Sequence, residues 1–107
     1  MNIGELTANG STPWFQPHTL DASVQVVLEG TGAVAANVEI EVSNDGVNPV
    51  RVKKNVGDTH SFVLSGTTLV TDNMVVAGVH SFIRMTVSGL SGTGATVRLL
   101  LASGKAA

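Results

Sequence analysis

Cysteine is absent from the 107 residues, and so is tyrosine. Without cysteine the chain has no disulfides and no thiolate metal sites, and its redox compartment leaves no mark. Aromatic residues are only 4% of the chain, too few for an extended carbohydrate-stacking platform. Charged residues are 13%, about half the ~25% usual in globular chains. The net charge is −2, with no long run of one sign. Arg51, Lys53 and Lys54 form the only basic cluster and read as a solvated strand face, so no nucleic-acid partner is expected. No apolar run approaches the ~18 residues of a membrane helix. The opening MNIGELTANG lacks the basic start and apolar core of a signal peptide. No membrane partner is expected, and the chain is expected to stay in the cytoplasm of the cell that makes it or to leave inside an assembly.

Gly, Ser, Thr and Asn fill the place of the missing charge, and these residues favour turns and strand edges over helix surfaces. The length fits one domain over 1–107, large enough to bury a core without staples. It is expected to carry an extended N-terminal arm over about 1–20 and a short C-terminal tail over about 102–107. Low charge leaves exposed sheets unprotected against sticking, which points to a surface covered by other chains.

Period-two alternation dominates the chain. Val38, Ile40 and Val42 alternate with Asn37, Glu39, Glu41 and Ser43. Val24, Val26 and Leu28 share a phase, as do His60, Phe62 and Leu64; Val27 and Val63 are out of phase. Ile83, Met85 and Val87 alternate with Arg84, Thr86 and Ser88, and Val97, Leu99 and Leu101 with Thr96 and Arg98. Pro49 to Asn55 gives a weaker strand, and Thr67 to Val79 reads as a long connection or an extra strand. Turn residues separate the runs at Ser43–Gly46, Gly57-Asp58, Ser65-Gly66, Asp72-Asn73 and Ser88-Gly89. No segment supports a long amphipathic helix. Short strands at roughly ten-residue intervals predict an all-β fold, an antiparallel β-sandwich or jelly-roll-like barrel.

Matching inward phases predicts a final hairpin pairing Val87 with Val97, Met85 with Leu99 and Ile83 with Leu101 around Leu90–Gly94. That register brings the out-of-phase Phe82 and Leu100 together on the outer face. With Val27 and Val63 they are candidate subunit-contact residues. Trp14 and Phe15, bracketed by Pro13 and Pro17 in an extended segment, are candidates too; the alternatives for this pair are a plug across the core or a sugar-stacking anchor.

No constellation supports catalysis, and no catalytic, cofactor-binding or metal site is expected. Gly30-Thr-Gly32 resembles the opening of a dinucleotide fingerprint, but the alternating strand from Asn37 leaves no room for the helix that would bind a pyrophosphate. It reads as a hairpin turn, and Gly89–Gly94 as a second one. His18, His60 and His80 lack paired metal-ligand spacing. There is no Gly-x-Ser-x-Gly elbow, and Glu39 and Glu41 line an outer strand face.

Three stretches together carry a resemblance: Val38-Glu-Ile-Glu-Val-Ser-Asn-Asp-Gly46, His80-Ser-Phe-Ile-Arg-Met-Thr-Val87 and Ser88-Gly-Leu-Ser-Gly-Thr-Gly-Ala-Thr-Val97. This order of strands and turns resembles small virion structural proteins of tailed bacteriophages, although Pro49-Val50 stands where that group has an aromatic. The resemblance implies a non-enzymatic virion protein, first of all a capsid decoration (cement) protein. Its partners would be the major capsid protein or other virion proteins, and further copies of itself. A neck, tail or fibre component and a host-surface or glycan-binding adhesin domain are the alternatives. No small-molecule substrate is expected.

Overall fold

A computed structural model describes residues 2–17, 22–52, 61–76 and 81–102. The described chain is all-β, with strands β1 (Asn2–Leu6), β2 (Gly10–Ser11), β3 (Ala22–Ser43), β4 (Val50–Arg51), β5 (Ser61–Val76) and β6 (Phe82–Ala102). They form one antiparallel sheet of six strands. β3 lies at its centre, with β6 on one flank and β5 followed by β4 on the other. The N-terminal arm runs along the far side of β6 as β1, β2 and a bridge from Phe15 to Ile83. No pairing among the described strands joins the two edges, so the ladder is not closed into a barrel.

Two expected hairpins are absent. Gly30 and Gly32 lie inside β3, and Gly89–Gly94 lies inside β6. Ile83, Met85 and Val87 pair with Val42, Ile40 and Val38; Val97, Leu99 and Leu101 pair with Leu28, Val26 and Val24. The two halves of β6 therefore each find a partner on β3 and not in one another. The same inward parity fits a hairpin and a continuous strand, and β3 offers the longer apolar stripe. Ser65-Gly66, Asp72-Asn73 and Ser88-Gly89 are likewise within strands, and Thr67 to Val76 continues β5. The Ser43–Gly46 turn is present, and the weak strand after Pro49 is reduced to β4 and a bond from Val52 N–H to the Ile40 carbonyl, 2.9 Å. Gly57-Asp58 and the tail beyond Ala102 are outside the described residues.

These long strands are bent. At about 3.3 Å per residue a straight strand of β3's length would span about 70 Å, whereas the longest dimension of the molecule is 41 Å. The register shifts between Glu29 and Ala33 against β5, and between Glu29 and Asn37 against β6. Such bulges sharpen bend and twist. The line continues into β5 at Thr68, whose φ is +68°, and into β6 at Gly89, Gly92 and Gly94. Across it the two halves of the sheet face each other. Gly4, paired with Leu99, lies so close to Thr12, bonded to Met85, that a Cβ on Gly4 would stand 2.6 Å from the threonine methyl. Val24, Val26 and Leu28 from one half and Val34, Val38, Ile40 and Val42 from the other join a single core with Phe62, Ile83, Met85, Val97 and Leu99.

Val34 seals the inside of the bend. A Cβ on Gly92 would stand 2.8 Å from its Cγ1 and 3.0 Å from the Ala33 carbonyl oxygen, and φ at Gly92 is +123°. Gly32 also has positive φ, +73°, but open space around it. Gly92→Ala is therefore expected to cost about 2–4 kcal/mol from strain and overpacking together, and Gly32→Ala about 1–2 kcal/mol from strain alone. Urea unfolding midpoints of the two variants check the difference.

Candidate interaction surface

Alternation that fills the core also sorts the polar residues onto two outer faces. On the half of the sheet holding Phe82 to Val87, Glu41 stands directly opposite Arg84 and Glu39 opposite Thr86. Arg84 Nε lies 2.9 Å from Glu41 Oε1, and the Thr86 hydroxyl donates to the same oxygen at 2.6 Å. The Ser11 and Thr86 hydroxyls bond at 2.8 Å, which ties β2 to this line. Phe15 bridges Ile83 and packs against the core, so its neighbour Trp14 falls on the outer face. Trp14 lies under the Arg84 guanidinium, 4.2 Å from the ring centroid, and its ring meets Phe82 at 6.3 Å and 60°. Arg84 is thus held between a carboxylate and an indole. A cation on an aromatic face contributes roughly 0.5–2 kcal/mol, more as water is excluded.

On the other half, Arg98 bonds both Glu5, at 3.3 Å, and Glu29. These two carboxylates raise the guanidinium pKa above its ordinary value. Glu39 pairs with Arg51 at 3.1 Å. All three arginines among the described residues are therefore engaged by carboxylates within the chain.

The turn after β3 organises around Asp45. Its Oδ1 accepts from the Val47 and Asn48 backbone N–H groups, both at 2.8 Å, and from the Ser43 hydroxyl at 2.7 Å. Oδ2 accepts from the Asn48 amide at 2.7 Å. These bonds, the Asn48 N–H first, hold the carboxyl well below the usual carboxylate range. The turn lays Gly46 against the Phe82 ring.

Of the six expected contact residues, the fold brings Trp14 and Phe82 together and sends Phe15 to the core. Phe82 and Leu100 are not neighbours: Phe82 is opposite Ser43 and Leu100 opposite Gln25, at the two ends of β6, because the hairpin that would have joined them does not form. Leu100 lies diagonal to Val27, whose register partners are Arg98 and Thr71. Val63 is on the outer face of β5, 76% exposed. Sequence reasoning passed over Leu69, 56% exposed, and Val47 and Val50, which are also exposed. It also passed over the Arg84–Glu41 and Arg98–Glu29 links, which only the true register shows.

Concavities are shallow. One of about 410 Å³ lies between the arm and the bend of β6, at Thr7, Asn9, Ser91 and Gly92, and one of about 350 Å³ lies beside the Asp45 turn. Among the described residues no group of three or more His, Asp or Glu side chains is placed to hold a metal ion. His18, His60 and His80, with Lys53 and Lys54, lie outside the described residues. Among the described residues no helix is long and apolar enough to cross a membrane. Comparison with protein-family models, curated proteins and solved structures finds no match.

Two measurements follow from these contacts. A double-mutant cycle of Glu41→Gln and Arg84→Met should show coupling of about 1–3 kcal/mol, since both side chains are largely buried, at 10% and 23% exposed. The same cycle on the more open Glu39–Arg51 pair should give less than about 1 kcal/mol. Because the folded-state pKa of Asp45 is depressed, its contribution to stability is full above the ordinary value of 3.8 and is lost as pH falls through the folded value. A carboxyl NMR titration should find Asp45 still ionised at about pH 3, and Asp45→Asn should flatten the acid limb of stability against pH.

Proposed function

We propose that this chain is a non-enzymatic structural subunit of a tailed-phage virion, most specifically a capsid-decorating protein that stabilises the shell through subunit contacts. The observation that carries the assembly reading is the division of labour on its surface. The described arginines are spent on internal ion pairs, while Val47, Val50, Val63 and Leu69 face outward. Such a surface is weakly solvated for its size and gains by being covered. Interfaces of ordinary size bury roughly 1,600 Å² in total, an area that several small contacts around one shell position can share. The three sequence stretches Val38–Gly46, His80–Val87 and Ser88–Val97, with their likeness to small phage virion proteins, support the virion assignment, although the last of them continues a strand and forms no hairpin. Trp14, the natural anchor for a glycan, is occupied by Arg84 and Phe82, which favours the structural reading over an adhesin.

The test is to purify particles from a culture producing this chain, identify their proteins by mass spectrometry, and image the chain's position. Stoichiometric presence on the capsid surface is expected. Stoichiometric presence in a neck, tail or fibre overturns the decoration role, and absence from particles overturns the virion reading as a whole.

A further inference from the structure

The arm joins β6 in two stretches with a break between them. β1 ends at Leu6↔Val97, and β2 resumes at Gly10↔Val87. Thr7, Ala8 and Asn9 cross the break, exposed to water, beside the concavity of about 410 Å³. Asn9 precedes Gly10, the only Asn-Gly pair in the full chain. This is the dipeptide in which a backbone nitrogen most readily attacks the preceding side-chain amide, because glycine has no Cβ to obstruct the approach. Nothing lies within 4 Å of where a Cβ on Gly10 would stand.

While the arm is docked, both reacting groups are tied to β6. The Thr12 N–H bonds the Met85 carbonyl at 2.9 Å, so Thr12 and Met85 form a hydrogen-bonded position of the ladder. Such positions alternate along an antiparallel pair, which makes Gly10↔Val87 the next one and engages the Gly10 N–H. Asn9 Oδ1 accepts the Leu90 N–H at 2.9 Å. The only Asp-Gly pair, Asp45-Gly46, is restrained differently. Its carboxylate is held by the Val47 and Asn48 N–H groups and its glycine N–H by the Ser43 hydroxyl, all within one turn. Asn9 is held from 81 residues along the chain, and that hold ends when the arm lifts.

We propose that Asn9-Gly10 is a self-modification site that the docked arm holds in check and that arm release opens. The site goes beyond the assembly reading and does not depend on it. On release the Gly10 nitrogen attacks Asn9 Cγ and closes a cyclic imide. The side-chain amide nitrogen leaves as ammonia, taking up the proton that Gly10 loses. Water then opens the ring. Attack at Cγ gives aspartate, and attack at the main-chain carbonyl gives isoaspartate, whose main chain runs through Cβ and Cγ. No electron acceptor or donor is needed. Isoaspartate lengthens the main chain by one carbon between the two residues that meet Leu90 and Val87, so the arm no longer fits its register and its release becomes permanent.

Mass spectrometry of chains held in mildly alkaline buffer follows the conversion of amide to acid, and an isoaspartyl methyltransferase marks the isoaspartate product. Asn9 in the folded wild-type chain should convert at least about tenfold more slowly than in the same chain unfolded in urea. Thr12→Val strands the Met85 N–H and should speed conversion about fivefold or more. Trp14→Ala, a milder loosening of the arm through Arg84, should act in the same direction. Leu64→Ala opens a core cavity on β5, away from the arm, and should leave the rate unchanged while the chain stays folded by circular dichroism. Equal rates in the folded and urea-unfolded chains overturn the restraint by the arm. So does an unchanged rate in both arm variants, or an equal acceleration by Leu64→Ala, which would make global unfolding the route. The isoaspartate chain, separated by ion exchange, should lose hydrogen-exchange protection at the Met85 and Leu90 amides. Full protection there overturns the permanent release.

Discussion

A strand with apolar inward positions along 22 residues cannot remain straight in a protein of this size. Val24, Val26 and Leu28 need cover, and so do Val34, Val38, Ile40 and Val42. One layer of sheet offers none, so β3 covers itself by bending between the two groups and bringing them face to face. β5 and β6, paired along it, must bend at the same level. The small residues of the three strands, Gly30 and Gly32, Gly66, and Gly89 to Gly94, meet that requirement together. Without the bend there is no common core, and the arm has no matched flank of β6 to follow.

Burial inside fixes what the outside can do. Each inward apolar residue leaves an outward neighbour, and on both halves those neighbours settle their charges locally. Arg84 takes Glu41, and Arg98 takes Glu5 and Glu29. Trp14 pins the arm by lying against Arg84, one residue before Phe15 enters the core. Thr12 adds a second pin. It is buried, and it both donates its own N–H to the Met85 carbonyl and accepts the Met85 N–H on its hydroxyl oxygen at 3.0 Å. The arm is thereby part of the sheet, laid along β6.

The inner face was legible in the sequence almost residue by residue, because alternation is a local property. Val38, Ile40, Val42, Ile83, Met85, Val87, Val97, Leu99 and Leu101 are all buried as their phase predicts. Connectivity was not legible. A glycine-rich segment between two strands of equal parity fits a hairpin tip or a bend within one strand, and only the presence of β3 alongside decides between them. That error separated Phe82 from Leu100 and hid the cross-strand pairing of Arg84 with Glu41. Pairings of residues far apart in the chain depend on register, and register is a property of the whole sheet.

The strand that completes the core is also the last one described. β3 is joined to β6 from Ser43↔Phe82 to Ser23↔Ala102, across separations of 39 to 79 residues. During synthesis the central strand therefore waits with one flank bare until β6 has been made. High contact order of this kind slows folding and prolongs exposure of unpaired strands. For a chain with this little charge, the interval most exposed to aggregation lies before the native state is reached.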